Sequence, residues 1–197
     1  MHKIKAVLRL IYVPIFIFYR RVNFFWLPNL LSKTNTSINS GVEFQQLTLI
    51  RGLGKIEIGK NCCFGAFRGG FHRNGSIELQ TRDKEAQILI GDGVKTNNNV
   101  FICSANLISI GEKTLIGQGV TIMDFEAHCK DPNKRDLVGE IGSIKIGKNV
   151  WIGNNVIILK NSVIGDNTII AAGAVVAGTF DENSIIGGIP AKFLKSI

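Results

Sequence analysis

Aliphatic residues recur at every sixth position over much of the chain. The longest run continues without a break for five steps of six. Its members are Ile146, Ile152, Ile158, Ile164, Ile170 and Val176. Shorter runs are Ile110, Ile116 and Ile122, and Ile58 with Phe64. A period of six matches neither the 3.6-residue repeat of an α-helix nor the simple alternation of an isolated strand.

Glycine often follows the repeating aliphatic residue, and asparagine and aspartate recur nearby. Examples are Ile110-Gly111, Ile116-Gly117, Ile146-Gly147, Ile152-Gly153 and Ile164-Gly165. Gly and Asn tolerate the left-handed backbone conformations that sharp corners require. We therefore predict an all-β parallel solenoid, in which each hexad forms one flat side and the aliphatic side chains stack from coil to coil.

Two polar segments, residues 67–86 and 124–143, interrupt this repeat. Solenoids extrude such insertions as loops, commonly on the functional face. The predicted organisation is an N-terminal apolar and basic segment (1–42), a β-helix domain (43–186) that carries both loops, and a C-terminal tail (187–197).

Composition supports a β-rich fold and locates an excess of positive charge. The chain is 45% hydrophobic, with 22 Gly and 4 Pro, which favours many tight turns. Its net charge is +8, and residues 1–42 contain no acidic residue. Their basic residues are Lys3, Lys5, Arg9, Arg20, Arg21 and Lys33. A local basic end suits an anionic membrane or polyanionic substrate, so we expect no nucleic-acid partner.

An apolar run, residues 10–19, lies within this basic segment. It has about half the length that a membrane-spanning helix needs, and no small-residue cleavage site follows it. Two interpretations stay open for residues 1–31: an interfacial anchor, or packing of the aromatic residues on the domain or on a neighbouring subunit. The aromatic residues are Phe16, Phe18, Phe24, Phe25 and Trp26. We expect a cytoplasmic protein, with peripheral contact to the inner face of the membrane under the first interpretation.

The four cysteines form no C-x-x-C pair, so neither a zinc knuckle nor a disulfide framework is indicated. We interpret them as small buried hydrophobic residues in a reducing compartment. They are Cys62, Cys63, Cys103 and Cys129. No metal cofactor is expected.

Three segments, together with the repeat, resemble the left-handed β-helix acyltransferases: residues 151–154, 164–167 and 188–192. Within that family the likeness is to galactoside and maltose O-acetyltransferases and to bacterial surface-polysaccharide O-acetyltransferases, and it covers about residues 50–197. It implies a left-handed coil, a homotrimer, and acetyl-CoA bound in the cleft between adjacent prisms. It also implies direct acetyl transfer to a saccharide acceptor, without a covalent enzyme intermediate.

By the same resemblance, His128 is the general base that acts on the acceptor hydroxyl. The chemistry agrees, because a sugar hydroxyl is a poor nucleophile and imidazole titrates close to neutral pH. Asp124 and Glu126 are candidates to hold the imidazole tautomer, as a triad acid does. We favour Asp124, and its alternative role is to cap a turn.

The resemblance also implies contacts with the substrates. Asn97 matches an acceptor-contacting asparagine of related enzymes, and a corner asparagine ladder is the alternative. The implied CoA contacts are Trp151, Asn154, Ala172, Ala177, Gly178, Gly188, Pro190, Lys192 and Lys195. The two lysines are expected near the CoA phosphates.

The sequence and its resemblance therefore predict an O-acetyltransferase that acts on a bacterial surface polysaccharide or its precursor. The alternative within the fold is an N-acetyltransferase for a nucleotide-linked amino sugar, and from another class, a non-catalytic binding scaffold. A zinc carbonic anhydrase needs three imidazoles at one metal. Two of the three histidines, His2 and His72, lie outside the recognisable coils, which disfavours that reading.

Overall fold

The structure, a computed structural model of the chain, describes residues 14–197. Of the residues singled out above, His2, Lys3, Lys5 and Arg9 lie outside the described residues. Within residues 14–197, twenty strands run parallel in three sheets, and a last strand closes one sheet antiparallel. The chain passes from one sheet to the next in a fixed order, so that each circuit forms one coil of a three-sided prism.

The sheets are named here A, B and C. Sheet A contains β1 (Asn35–Ile38), β4 (Lys55–Ile58), β7 (Gln87–Ile90), β10 (Leu107–Ile110), β13 (Ser143–Ile146), β16 (Val163–Ile164) and β19 (Thr179–Phe180). Sheet B contains β2 (Glu43–Phe44), β5 (Cys63–Phe64), β8 (Lys95–Thr96), β11 (Leu115–Ile116), β14 (Trp151–Ile152), β17 (Ile169–Ile170), β20 (Ser184–Gly188) and β21 (Ala191–Ser196). Sheet C contains β3 (Thr48–Gly52), β6 (Ile77–Thr81), β9 (Phe101–Ser104), β12 (Thr121–Met123), β15 (Ile157–Ile158) and β18 (Val175–Val176).

The predicted isoleucine column is confirmed. Ile146 lies in register with Ile164, and Ile152 with Ile170, so one coil of the regular region takes three hexads. Each member of the longest run is at most 2% exposed. Stacking of equivalent side chains from coil to coil gives one continuous apolar core. The chain is a left-handed parallel β-helix, as the resemblance implied.

Asparagines at the corners adopt positive φ angles, as the turn chemistry predicted. At the corner between sheets A and B they also form a ladder. Asn149 Nδ2 donates to Asn167 Oδ1 at 3.0 Å, and Asn167 Nδ2 donates to Asn183 Oδ1 at 2.9 Å. Asparagine suits these positions because it tolerates the left-handed conformation and can bond to the equivalent residue one coil away.

Two predicted boundaries differ from the structure. The solenoid begins at β1, within the segment assigned to the N-terminal region (1–42), because Thr36 and Ile38 alternate with polar residues and pair with β4. The predicted loop 67–86 contains the whole of β6, whose Ile77 and Leu79 are fully buried. This strand was missed because its inward residues follow a period of two. The excursion at this corner is therefore residues 65–76.

An N-terminal cap covers the first coil. Residues 14–21 are helical and lead into a π-helical turn, Val22–Trp26. Phe25 of that turn is 7% exposed and stacks on Phe44 of β2, with ring centroids 4.2 Å apart. Phe44 stacks in turn on Phe64 at 5.6 Å. An end of a solenoid exposes its core, and Phe25 closes that opening. Among residues 14–197, no helix combines the length and apolar character needed to cross a bilayer.

Candidate active site

The loop that carries His128 leaves the corner between sheets C and A, after β12 and before β13. Its two arms form a short antiparallel stem. The Glu126 and Glu140 backbones are joined by an N–H···O bond of 2.9 Å, and Gly139 N–H donates to the Glu126 carbonyl at 3.0 Å. Cys129 N–H donates to the Leu137 carbonyl at 2.8 Å further along. A 3₁₀ helix, Pro132–Lys134, forms the tip. The stem gives His128 a defined position although the loop lies outside the coils.

The His128 imidazole is exposed, and one of its nitrogens is fixed. Its Nδ1 lies 2.6 Å from the backbone carbonyl oxygen of Arg135. A carbonyl oxygen only accepts, so Nδ1 carries the proton and donates it to this bond. In the neutral ring, Nε2 is then unprotonated and presents its lone pair to solvent. This tautomer is the one that a general base needs.

Asp124 does not orient this histidine, in contrast to the role favoured from the sequence. Its carboxylate is fully buried and accepts from Ser104 Oγ at 2.7 Å, Ala105 N–H at 2.7 Å and Asn106 N–H at 3.1 Å. These donors belong to the corner after β9, one coil earlier. Asp124 therefore caps a turn, the alternative left open, and fastens the base of the loop to the solenoid.

Glu126 likewise has partners other than the imidazole. Its carboxylate lies 3.0 Å from Lys130 Nζ and 3.4 Å from Lys160 Nζ. Glu140 pairs with the same two lysines, and its bond to Lys160 Nζ is short. Hydrogen bonding to Lys130 lowers the pKa of Glu126, and hydrogen bonding to Lys160 lowers that of Glu140. Because Lys160 belongs to the next coil, the network ties the stem to the body of the prism.

Asn97 lies at a different corner, between sheets B and C. Its Oδ1 accepts from Asn98 N–H at 2.8 Å, so the carbonyl end of the side chain stabilises its own turn. A Cβ added to Gly69 would meet the same oxygen at 2.4 Å, which shows how closely the excursion 65–76 lies over Asn97. Asn98 holds that excursion through bonds from Nδ2 to the Ala66 carbonyl at 3.0 Å and the Gly70 carbonyl at 2.9 Å.

The residues implied to contact CoA divide between two edges of the prism. Asn154 and Ala172 lie on the edge between sheets B and C, as Asn97 does. Ala177 and Gly178 lie on the edge between sheets C and A, as the His128 loop does. Sheet C separates the two sets within one chain. A site that used both sets would therefore need a second copy of the chain.

Both edges are accessible in the last coils. Ala172, Ala177 and Gly178 are exposed, and a Cβ added to Gly178 would meet nothing within 4 Å. Asn154 is exposed, and its Oδ1 accepts from Gln118 N–H at 2.9 Å. Trp151, on the outer face of sheet B, is 57% exposed. These residues leave backbone groups and an indole face available to a ligand.

The C-terminal tail folds back on the last coil. β21 pairs antiparallel with β20, and the reversal contains Gly188, with φ of +101°, and a cis Ile189–Pro190 bond. Lys192 and Lys195 belong to β21 and are exposed. The predicted tail thus presents two cations beside the final coil.

Arg135 and Lys160 were not identified from the sequence. Arg135 contributes a backbone carbonyl, which any residue at that position carries, so its side chain holds no signal. Lys160 lies 32 residues after His128 and meets the loop only because one coil stacks on another. Within residues 14–197, no group of three or more His, Cys, Asp or Glu side chains is placed to bind a metal ion.

Comparison with known proteins agrees with the solenoid fold. Residues 143–178, which span β13 to β18, match the family model described as bacterial transferase hexapeptide (six repeats). The matched segment is the region where the six-residue period is unbroken, so this part of the chain is built of hexapeptide repeats.

Two curated relatives are named as acetyltransferases. WbbJ of Escherichia coli strain K12, described as a lipopolysaccharide biosynthesis O-acetyl transferase, is 35% identical over 55% of this chain and 60% of its own length. A sophorolipid acetyltransferase of Starmerella bombicola is 46% identical over 56% of this chain and 42% of its own length. The chain thus spans no more than about 60% of either relative.

A solved structure shows the same fold. AntD of Bacillus cereus, an N-acyltransferase in complex with dTDP and 3-hydroxybutyryl-CoA, aligns with a TM-score of 0.62. The alignment covers 86% of each chain at 19% identity. At that identity the likeness establishes the shared solenoid.

Proposed function

We propose that this hexapeptide-repeat protein transfers an acetyl group from acetyl-CoA to a hydroxyl of a saccharide. The observation that carries the proposal is the exposed His128 imidazole, whose Nδ1–H bond to the Arg135 carbonyl leaves Nε2 free to accept a proton. The names of the two curated relatives support acetyl transfer, and O-acetyl transfer in the case of WbbJ.

In the proposed reaction, His128 Nε2 removes the acceptor hydroxyl proton as the oxygen attacks the thioester carbonyl carbon. A C–O bond forms, the C–S bond breaks, and the imidazolium returns its proton to the departing CoA sulfur. The products are an acetyl ester and CoA as the free thiol. The Arg135 carbonyl stabilises the intermediate imidazolium, because the Nδ1–H bond strengthens when the ring is charged.

For the donor, we propose that acetyl-CoA lies along the last coils. The exposed backbone at Ala172 and Gly178 would bond the pantetheine arm, with Asn154, Ala177 and Trp151 beside it. Lys192 and Lys195 would face the CoA phosphates, with Gly188 and Pro190 shaping the turn between them. The bound 3-hydroxybutyryl-CoA in the AntD structure supports a CoA thioester as donor for this fold.

For the acceptor, we propose a sugar of a surface polysaccharide or its precursor, contacted by Asn97. The description of WbbJ as a lipopolysaccharide biosynthesis enzyme supports this class. AntD favours the alternative, transfer to an amino sugar carried by a nucleotide, because it is an N-acyltransferase crystallised with dTDP.

We also propose that the functional unit is a homotrimer, as the family resemblance implies. The division of the implied site between two edges supports this, since one chain would supply His128 and its neighbour Asn97. Peripheral contact of residues 1–31 with the cytoplasmic face of a membrane belongs to the same proposal and is developed below.

Transfer of radiolabelled acetyl from acetyl-CoA to saccharides of the producing cells tests the activity. His128→Ala is expected to lower kcat about 10²- to 10⁴-fold, the usual contribution of a general base. His72→Ala is the matched control. The His72 imidazole belongs to the excursion 65–76, away from the His128 loop, and contacts the backbone carbonyl of Gln45. Full activity of His128→Ala would refute the mechanism. A product label resistant to mild alkali would indicate an amide and favour the N-acyl alternative.

Subunit mixing tests the shared site. His128→Ala removes the base at one edge, and Ala172→Trp fills the donor position at the other. Each variant alone should be inactive, whereas mixed oligomers should regain activity at sites built from one unaltered edge of each chain. No recovery in mixtures shown to contain mixed oligomers would place the whole site within one chain.

A further inference from the structure

The N-terminal end of the prism has an exposed apolar surface, defined here as the end patch: Phe18, Trp26, Leu27, Leu30 and Leu31. Leu27, Leu30 and Leu31 are 63%, 75% and 91% exposed, and Trp26 is 48% exposed. Phe18 lies edge-on to Trp26, with ring centroids 6.1 Å apart. Capping elements of solenoids usually present a polar outer face to water, and this cap does not.

The end patch is held in place by the first coil. Asn29 Nδ2 donates to the Thr48 carbonyl at 2.7 Å, and Asn29 Oδ1 accepts from Ile50 N–H at 2.6 Å. Asn29 thus pairs with the otherwise free edge of β3, as a neighbouring strand would. Together with the stacking of Phe25 on Phe44, these bonds fix the turn that carries the leucines. The apolar surface is therefore a rigid part of the prism.

The segment that carries the end patch is basic, and the Glu43 carboxylate of the first coil lies near Arg20. Arg20, Arg21 and Lys33 flank it in sequence, and residues 1–42 contain no acidic residue. The Arg21 guanidinium lies 5.6 Å from the Trp26 ring centroid, at the border of the patch. Exposed leucine and tryptophan within a basic surround are the composition of an interfacial membrane contact.

We propose that the end patch docks the prism, end on, onto an anionic lipid surface. The prism axis then points away from the membrane surface. The distance of each coil from that surface is set by the spacing between neighbouring strands. β12, which leads into the His128 loop, lies three steps from β3 in sheet C. At about 4.8 Å per step, the base of that loop lies about 14 Å beyond the first coil.

The excursion 65–76 lies at the same end of the molecule. The Arg20 guanidinium lies over two rings, 4.1 Å from the Phe16 centroid and 4.8 Å from the Phe67 centroid. His72 lies 5.2 Å from Phe67, ring to ring. The cap therefore supports the excursion that covers Asn97. This inference rests on the proposed function and narrows its acceptor to a lipid-linked saccharide, whose sugars nearest the lipid would reach the His128 loop.

Vesicle binding by the full chain tests the docking surface without relying on catalysis. We expect co-sedimentation with phosphatidylglycerol vesicles at low salt, weaker binding at high salt, and weak binding to phosphatidylcholine vesicles. The affinity of the double variant Leu30→Gln/Leu31→Gln for these vesicles should be lower by at least about tenfold. The matched control is Leu194→Gln/Ile197→Gln, which alters exposed apolar residues at the opposite end. Equal binding by both double variants would overturn the proposal.

Fluorescence gives a second readout. The chain has 2 Trp, so Trp151→Phe leaves Trp26 as the sole reporter. Brominated phosphatidylglycerol should quench Trp26, and absence of quenching in sedimented protein would place the contact elsewhere and refute the proposal. Concentration-dependent self-association that Leu30→Gln/Leu31→Gln abolishes, with no vesicle binding, would assign the end patch to a second copy instead.

Acetyl transfer then tests the acceptor. A lipid extract of the producing cells is incorporated in phosphatidylglycerol vesicles, and a matched portion is treated with mild acid to release its saccharides. Leu30→Gln/Leu31→Gln should lose about tenfold in rate on the vesicles and keep the wild-type rate on the released saccharides. If the double variant and the wild type acetylated both preparations at equal rates, the lipid-linked acceptor would be rejected and the proposed function would stay intact. Vesicle binding without acetyl transfer to either preparation would instead reject the proposed function.

Discussion

Replacement of Asp124 by asparagine distinguishes a structural carboxylate from a catalytic one. In the best orientation, Asn Oδ1 keeps the bond from Ala105 N–H and the new NH₂ group faces Asn106 N–H and Ser104 Oγ. The serine hydroxyl can rotate to accept, but the Asn106 N–H loses its acceptor. Loss of one hydrogen bond to a charged group costs about 1.5–3 kcal/mol, and the remaining bonds to a neutral amide are weaker. We expect a loss of about 2–4 kcal/mol in the free energy of unfolding.

Urea unfolding at a fixed protein concentration measures this loss. With a slope of about 2 kcal/mol per M, the midpoint should fall by about 1–2 M. The kcat for acetyl transfer, measured where the variant is folded, should stay within a few-fold of wild type. The control is Asp131→Asn, since Asp131 caps an exposed 3₁₀ turn through Asn133 N–H at 3.0 Å. Its midpoint should move little, because asparagine accepts the same capping bond and caps about as well as aspartate.

A different result would refute this reasoning. A triad acid that fixes the base tautomer contributes about 10⁴-fold to kcat. If Asp124→Asn lost activity on that scale and kept its urea midpoint, the carboxylate would be orienting His128 during catalysis. The Arg135 carbonyl would then be an incidental partner of the imidazole, and the buried bonds at the turn would have no measurable role in stability.

Three further predictions concern the loop, the cap and the core. The pKa values of Glu126 and Glu140 are lowered in the folded loop. Their contribution to the stability of the loop is therefore complete above the unfolded pKa of about 4.3 and is lost as pH falls through the folded pKa values. Hydrogen-exchange protection of the stem amides should drop in that acidic range, and unchanged protection in acid would contradict this. Phe25→Ala should destabilise by about 3 kcal/mol and lower Tm by about 6–12 °C, against little change for exposed Phe18→Ala in the same calorimetric scan. Burial raises the pKa of the Cys103 thiol to about 11, so it should resist alkylation at pH 8 until urea unfolds the chain, and rapid labelling of the native protein would argue against a buried thiol.

The cysteine and aromatic predictions show how far residue type alone can go. Cys62 and Cys103 are each 1% exposed, as the interpretation of buried small hydrophobic residues requires, whereas Cys63 and Cys129 are only partly buried. The packing interpretation of the N-terminal aromatics is confirmed for Phe25, and the anchor interpretation stays a prediction for Phe18 and Trp26. Phe25 packs on the domain, whereas Phe18 and Trp26 stay exposed. Composition could not separate them, since burial there depends on which side of a π-helical turn faces the first coil.

The repeat by itself determined the solenoid, the burial of Ile146 and its equivalents, and the asparagine corners. Such features are local, because each hexad repeats the same packing on the coil before it. A period counted along the chain is therefore enough to predict the fold. Only the tertiary structure decided that Asp124 anchors a turn, that the Arg135 carbonyl holds His128, and that Asn97 and Gly178 lie on different edges. Those relations join residues through the stacking and extrusion of coils, and no spacing along the chain encodes them.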